Sequence, residues 1–110
     1  LIVNPGGTNE RYVDGHIEHA TKLVHADNRT IFEEIASGEA DIMITDGIEV
    51  DLQTARNALL CAAMPGHFLT HLEKGYLMPR DTPLKEYVDL WLEQRIADGT
   101  VERLFSRHLR

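Results

Sequence analysis

Short apolar runs alternate with amphipathic stretches over residues 1–64, and this alternation constrains the fold more than any other feature of the sequence. Each apolar run ends at a breaker or a capping residue. The predicted strands are residues 1–3, 22–25, 40–45 and 59–64. The predicted helices between them are residues 11–17, 29–37 and 48–56. Strands and helices in this order predict an α/β fold, with a mostly parallel sheet flanked by helices.

The predicted helix over residues 29–37 has a clear apolar face. Ile31, Phe32 and Ile35 lie on one side of it at helical spacing. Gly38 follows directly and is placed to end the helix in the left-handed conformation. The segment is therefore expected to be a short amphipathic helix with a defined end.

The last third of the chain has a different pattern. Residues 73–78 predict a lone strand, and the turn at residues 79–83 follows it. Two amphipathic helices come next, separated by Asp98-Gly99-Thr100 as a stop and a restart. The first face comprises Leu84, Val88, Trp91, Leu92, Arg95 and Ile96, and the second comprises Val101, Leu104, Phe105 and Leu109.

The turn after the first predicted strand is the strongest candidate for a binding site. In it, Gly6 and Gly7 allow backbone angles and close approaches that side chains would prevent. Thr8, the predicted N-cap, and Asn9 then present polar groups and backbone N–H groups at the positive end of a helix. This combination suits a carboxylate or a phosphate, although a plain glycine-rich turn with a threonine cap explains the same residues.

Two further junctions, at residues 26–30 and 45–49, also follow predicted strands. Ligands of parallel α/β sheets bind beyond the carboxyl ends of the strands, so all three junctions are candidate sites. Asp46, in the last of them, has a position from which it could contact a ligand amine, orient a hydroxyl, or cap the helix that follows. Its spacing favours the capping role.

Glu10 has two interpretations. A glutamate in the first helical turn is often a capping partner, and the spacing favours that role. A bound anion and loss of solvent would instead raise the pKa of its carboxyl, and a protonated glutamate near neutral pH is what a general acid requires.

The charge of the chain excludes two classes of partner. Its formal net charge is -7 and its isoelectric point is near 5.2, with no patch rich in Lys or Arg. Neither nucleic acid nor an anionic membrane surface is therefore an expected partner. No apolar run approaches the roughly 18 residues of a membrane span. The sequence begins inside a predicted strand, so we expect it to be a piece of a longer protein. The absence of a signal peptide from it therefore gives no information about location.

The cysteine and the histidines predict neither a disulfide nor a metal site. Cys61 is the single cysteine and lies in an apolar run, where a buried and unreactive thiol is expected. The closest histidine pairs are His16 with His19, on an expected solvated face, and His67 with His71. Zinc requires three or four convergent ligands, and no cysteine joins either pair.

Several segments, taken together and in order, resemble a known family. They are Asn4-Pro5-Gly6-Gly7-Thr8-Asn9-Glu10, then Asp27-Asn28 with Thr30-Ile31-Phe32, then Gly38 with Ala40-Asp41, Met43, Thr45-Asp46 and Ile48-Glu49, and then Glu73-Lys74 with Tyr76-Leu77 and Pro79-Arg80-Asp81. The chain resembles type-2 extracytoplasmic solute-binding proteins, and within them the periplasmic cyclohexadienyl dehydratases. The resemblance covers essentially all 110 residues and corresponds to the C-terminal half of such a protein.

The resemblance implies a fold of two α/β lobes, joined by a two-strand hinge, with the ligand in the cleft between them. Residues 1–72 would form the second lobe, residues 73–82 would return through the hinge, and residues 83–110 would brace the lobe junction. The first lobe would be a missing partner, so we expect the chain alone to be inactive. Cleft surface left uncovered could also favour a homo-oligomer.

The resemblance also implies an activity. These periplasmic enzymes remove water and carbon dioxide from prephenate or arogenate, a small carboxylate substrate, without a cofactor. By resemblance Glu10 would be the general acid, while Gly7, Thr8 and Asn9 would hold the substrate carboxylate. Thr45 and Asp46 match the position where amino-acid receptors contact the ligand's amino group. The alternatives are the ligand-binding lobe of an amino-acid receptor of an ABC transporter, without catalysis, and a sensor lobe of the same fold.

Overall fold

The computed structural model describes residues 1–108, and the chain divides into two units, the first of residues 1–65 and the second beginning at Gly66. The first unit contains β1 (Ile2–Val3), α1 (Thr8–His16), β2 (Leu23–Val24), α2 (Ile31–Ala36) and α3 (Gly47–Arg56). The second contains α4 (Thr82–Ala97) and α5 (Thr100–His108). Among residues 1–108, no helix is both long enough and apolar enough to cross a membrane.

The sheet of the first unit is small and parallel. β1 pairs in parallel with β2, with Ile2 opposite Leu23 and Val3 opposite Val24. On its other side, Ile2 forms a parallel bridge with Met43, and its N–H donates to the Ile42 carbonyl at 2.9 Å. β1 is therefore central, and the predicted α/β class with a parallel sheet is confirmed.

The predicted strand over residues 40–45 is reduced to the bridge at Met43. Ile42, in the middle of that apolar run, is exposed, so the run is not covered on both faces as a central strand would be. This segment is an outer edge of the sheet, and a single pair joins it to β1.

The core of the first unit forms where α2 meets the sheet. Ile31 and Phe32 pack with Ile2 and Ala40 in one buried cluster, and Ile31 is fully buried, with 0% of its surface exposed. The partly buried residues packed against this cluster are Ile35, Met43 and Leu60. All three positions of the predicted helical face thus contact the core, which confirms that prediction.

The start of α1 differs from the prediction. The N-cap is Gly7, with an extended backbone at φ -95° and ψ -179°, and Thr8 is the first helical residue. The prediction that Thr8 caps this helix was therefore wrong. The chain makes its change of direction at Gly6, whose φ is +79°, so the helix begins one residue earlier than a threonine cap would allow.

The end of α2 agrees with the prediction, because Gly38 adopts a positive φ of +86° directly after the helix. We expect Gly38→Ala to lower the free energy of unfolding by about 1–2 kcal/mol, since a Cβ is strained in this conformation. Gly15→Ala is the matched control. Gly15 lies inside α1 with open space around the added Cβ, so that change should stabilise the helix by about 0.5–1 kcal/mol. Denaturant unfolding of both variants checks the opposite signs, and equal effects would contradict the assignment of Gly38.

The predicted strand over residues 59–64 does not form. The Leu60 N–H donates to the Asn57 carbonyl at 3.0 Å, and the Leu59 N–H donates to the Asn57 side chain at 3.0 Å. A turn centred on Asn57 therefore takes backbone groups that a sheet partner would need. Cys61 is exposed, so the expectation of a buried thiol was also wrong.

The second unit begins with an irregular segment. The described residues from Gly66 to Asp81 form neither helix nor strand, so the predicted strand over residues 73–78 is not present. A lone strand has unpaired N–H and C=O groups and needs a neighbouring strand to satisfy them. The role of this segment as a return through a hinge stays a prediction.

Both helices of the second unit are confirmed. Asp81 caps α4, because its carboxylate accepts the Leu84 N–H at 3.0 Å, and Gly99 separates the helices with a φ of +74°. Val88 and Leu92 on the predicted face are half-buried, whereas Trp91 stays about half exposed. Leu109, which the pattern placed on the second face, lies outside the described residues.

Candidate functional site

The three predicted junctions leave the sheet from the same edge. β1, β2 and the segment at Met43 run parallel, so their carboxyl ends lie side by side. The loops that follow them span residues 4–7, 25–30 and 44–46. The Asn4 side chain donates to the His25 carbonyl at 3.2 Å and ties the ends of β1 and β2 together. The fold thus places the candidate residues along one edge.

The opening turn presents backbone groups to its surroundings. Gly6 and Gly7 are exposed, and Gly7 provides no side chain to cap the helix. The first N–H groups of an α-helix have no partner inside the helix, so those of Thr8 and Asn9 point outward from its positive end. Thr8 is exposed and Asn9 half-buried. This is the geometry expected of an anion-binding turn, and the binding roles of Gly7, Thr8 and Asn9 stay predictions.

Glu10 folds back onto this turn. Its Oε2 accepts the Gly6 N–H at 2.6 Å, and its Oε1 accepts a hydrogen bond from Lys22 Nζ at 3.2 Å. The side chain is only 19% exposed. The carboxylate therefore caps the turn that precedes α1, which supports the capping interpretation of Glu10 in the unliganded chain.

These contacts favour the ionised form of Glu10. The Gly6 N–H and, next, the Lys22 ammonium hold the pKa of the Glu10 carboxyl below its usual value of 4.5. The sequence-based expectation of a raised pKa assumed a bound anion. Without one the pKa moves in the opposite direction, and Glu10 is a carboxylate at neutral pH.

Lys22 joins two carboxylates of α1. Its Nζ lies 2.7 Å from Asp14 Oδ1, in addition to the contact with Glu10. Asp14 and then Glu10 raise the pKa of the Lys22 ammonium. Sequence reasoning missed this residue. A signal existed, because Glu10 and Asp14 are four residues apart on one helix face and Lys22 directly precedes the strand that pairs with β1.

The lowered pKa of Glu10 predicts an acid-sensitive stability. A carboxyl whose pKa is lower in the folded than in the unfolded state stabilises the fold above the unfolded value, and this contribution is lost as the pH falls through the folded value. The loss is therefore expected below about pH 4.5. Thermal unfolding as a function of pH should show a smaller acid-side decrease in Glu10→Gln than in the wild type. The exposed Glu39 supplies the control Glu39→Gln, which should follow the wild-type curve. Parallel curves for wild type and Glu10→Gln would contradict the prediction.

The second junction is held by its own side chains. Asp27 Oδ1 accepts the Arg29 N–H at 2.9 Å, and His25 Nε2 lies 2.8 Å from Thr30 Oγ1. The Arg29 side chain is almost fully exposed, with its Nε 3.4 Å from Asp27. These contacts join residues at the two ends of the loop and within it.

The third junction contains Thr45 and Asp46. The Thr45 hydroxyl donates to Glu49 Oε2 at 2.7 Å in a partly buried position. Asp46 occupies the N-cap position of α3 that its spacing favours, with an extended backbone at φ -61° and ψ 139°, but its side chain makes no capping hydrogen bond to the helix. Glu49 ends the predicted junction at residues 45–49, but the sequence assigned it no contact with a ligand. The ligand contacts expected of Thr45 and Asp46 stay predictions.

His16, the last residue of α1, contacts Tyr12 on the preceding turn. The His16 ring stacks on Tyr12, with ring centroids 4.1 Å apart, and its Nδ1 lies 2.9 Å from the Tyr12 carbonyl oxygen. In the part of the chain that the structure describes, no group of three or more His, Cys, Asp or Glu side chains is placed to hold a metal ion.

Known proteins similar to this chain agree with the sequence motifs. The chain is 50% identical over 108 residues to the cyclohexadienyl dehydratase of Pseudomonas aeruginosa. The aligned region covers 98% of this chain and 40% of that protein. It also matches the crystal structure of an ancestral cyclohexadienyl dehydratase with a TM-score of 0.59 and 42% identity, over 98% of this chain and 45% of that one. No protein-family model matches. The chain thus spans less than half the length of these relatives, and over nearly all of its own length it is similar to cyclohexadienyl dehydratases, as its motifs indicate.

Proposed function

We propose that this chain is part of a cyclohexadienyl dehydratase, a lyase of phenylalanine biosynthesis, in which Glu10 is the general acid. The observation that carries the proposal is the 50% identity over 98% of the chain to a protein of that name. The position of Glu10 supports it, because its carboxylate lies against a turn whose backbone N–H groups suit a substrate carboxylate.

The proposed reaction is a decarboxylative dehydration of prephenate or arogenate. Glu10 gives its proton to the ring hydroxyl, the C–O bond breaks, and the hydroxyl leaves as water. The bond to the ring carboxylate breaks at the same time, carbon dioxide leaves, and its electron pair makes the ring aromatic. The product is phenylpyruvate or phenylalanine. Solvent then returns a proton to Glu10, so no oxidant, reductant or cofactor is needed.

The proposal requires Glu10 to change its protonation state when substrate binds. The unliganded surroundings favour the carboxylate, as shown by the lowered pKa of Glu10. A substrate carboxylate held by Gly7, Thr8 and Asn9 adds a negative charge beside it, and closure of the site removes water. Both changes raise the pKa of a carboxyl group, which gives the general acid its proton at the stage when it is needed.

The proposed reaction also requires another lobe and a location for the whole protein. The rest of the protein would supply the first lobe of a bilobal solute-binding-protein fold, and Thr45 and Asp46 would face the substrate from the second. Such a protein would function in the periplasm. The parallel sheet and the shared edge of the three junctions are consistent with this arrangement.

The test is an assay of the full-length protein for phenylpyruvate formation from prephenate, followed by its ultraviolet absorbance in alkali. We expect turnover by the purified protein without added cofactor. The same preparation should be tested with arogenate, with phenylalanine as the measured product. Binding of amino acids without turnover of either substrate would reject the proposal and favour the amino-acid receptor, which the similar proteins do not support.

A further inference from the structure

The proposed reaction assigns no role to Lys22, which forms ion pairs with Glu10 and Asp14. Its ammonium lies between two carboxylates on consecutive turns of α1, 3.2 Å from Glu10 Oε1 and 2.7 Å from Asp14 Oδ1. The side chain is 33% exposed, so it packs along the helix rather than extending into solvent. Lys22 comes from the segment before β2, and its contact links α1 to the sheet.

The two carboxylates have different roles in holding the cation. The contact with Asp14 is the shorter one, and it fixes the ammonium on the helix surface. Glu10 then receives the second contact through Oε1, while its Oε2 accepts the Gly6 N–H at 2.6 Å. Each carboxylate oxygen of Glu10 thus accepts a hydrogen bond from a different donor.

We propose that Lys22, anchored by Asp14, is a positioning residue that orients the Glu10 carboxylate against the opening turn and controls its charge state. The inference rests on the proposed role of Glu10 as the general acid. Lys22 acts through Glu10 and not on the substrate. Asp14 and Glu10 contact the same ammonium and so compete for it. Lys22 therefore favours the ionised form of Glu10, and Asp14 opposes it.

Among residues 1–108, two charged groups act on the Glu10 carboxylate. They are Lys22, from the segment before β2, and Asp14, from the next turn of α1. The opening turn contributes the neutral Gly6 N–H. The sign of each change follows from Coulomb's law. Lys22→Met removes a cation and raises the pKa of Glu10. Asp14→Asn removes an anion and leaves Lys22 free to contact Glu10, so it lowers the pKa of Glu10.

The first measurement is a carbon-13 NMR titration of the Glu10 carboxyl group in the full-length protein, with the signal assigned by its loss in Glu10→Gln. Relative to wild type, the titration midpoint should move to higher pH in Lys22→Met and to lower pH in Asp14→Asn. Lys22→Arg keeps the positive charge and should restore the midpoint toward the wild-type value. This readout does not depend on activity.

The second measurement is the pH dependence of kcat/KM for prephenate in the same variants. A general acid is active when protonated, so the alkaline limb of the profile reports its pKa in the free enzyme. The limb should move in the same directions as the NMR midpoints. Lys85→Met is the matched control, because Lys85 forms a comparable ion pair with Asp89 on α4. It should leave both the midpoint and the limb unchanged.

The outcomes separate the two proposals. An unchanged Glu10 midpoint in Lys22→Met and Asp14→Asn overturns the role of Lys22. If the midpoints move as expected but the alkaline limb does not follow, Lys22 controls Glu10 and the role of Glu10 as the acid is wrong. If circular dichroism shows that Lys22→Met does not fold, Asp14→Asn and Lys22→Arg test the inference instead. A Glu10 midpoint that moves to higher pH in Asp14→Asn, or away from the wild-type value in Lys22→Arg, then overturns it.

Discussion

Full-length protein that carries Glu10→Gln is expected to bind prephenate but to form phenylpyruvate about 100- to 10,000-fold more slowly than the wild type, the range that a positioned general acid contributes. A glutamine amide cannot deliver a proton to the leaving hydroxyl. Its carbonyl oxygen can still accept the Gly6 N–H that Glu10 accepts at 2.6 Å, so the turn should keep its shape. Steady-state kinetics with prephenate and calorimetric binding of the same substrate measure the two quantities separately.

The control for this experiment is Glu39→Gln, which makes the same chemical change at an exposed position after α2. It should turn over prephenate at the wild-type rate. Near-normal turnover by Glu10→Gln would contradict the assignment of Glu10 as the general acid. Loss of binding together with turnover would instead identify Glu10 as a residue that shapes the opening turn, its capping role in the unliganded chain.

A second large effect is expected in the core of the first unit. Ile31→Ala should lower the free energy of unfolding by about 2–5 kcal/mol, because it removes three buried carbons and leaves a cavity. Ile31 is fully buried, at 0% exposure, and packs in one cluster with Ile2, Phe32 and Ala40. Denaturant unfolding of the full-length protein, monitored by circular dichroism, measures the change as a shift of the transition of this unit.

Ile48→Ala is the matched control. It makes the same truncation on α3 at a side chain that is 40% exposed, so less apolar surface returns to water and little cavity forms. We expect its cost to be about 1 kcal/mol or less. Equal losses in the two variants would show that Ile31 is not central to the core. A near-zero loss in Ile31→Ala would contradict the packing of α2 on the sheet.

The parts of the fold that sequence reasoning predicted correctly are those encoded over short distances. The face of Ile31, Phe32 and Ile35 follows from helical spacing, and the end of α2 follows from Gly38. The order of strands and helices predicted a parallel sheet, and the pairing of β1 with β2 is parallel. Each of these features depends on residues within one or two turns of each other, or on the order of elements.

The wrong predictions depend on distant partners. The apolar run at residues 59–64 has the composition of a strand, but a turn at Asn57 engages the backbone of Leu59 and Leu60. The segment at residues 73–78 has the composition of a strand but is irregular in the part of the chain that the structure describes. A strand exists only through hydrogen bonds to another segment, so an apolar run alone does not decide whether it forms.

Some features of the candidate site could be predicted from the sequence, and others depend on the fold. Glu10, Gly6 and Gly7 could be singled out from the sequence, because breakers and first-turn residues are local signals. The sequence signal for Lys22 was only partial, since its contact with Glu10 spans twelve residues and requires β2 to lie beside β1. The direction of the pKa change at Glu10 was likewise a tertiary property, because it comes from the Gly6 N–H and the Lys22 ammonium.

The residues of this chain set its α/β class, the opening turn and the resemblance to cyclohexadienyl dehydratases, since periodicity, breakers and motif order are written along the chain. The folded arrangement settled which apolar runs become strands and which charges surround Glu10. Both depend on where chain segments meet in space. A carboxyl group in the first turn of a helix has a short list of local roles, and its protonation state follows from the donors that the fold places around it.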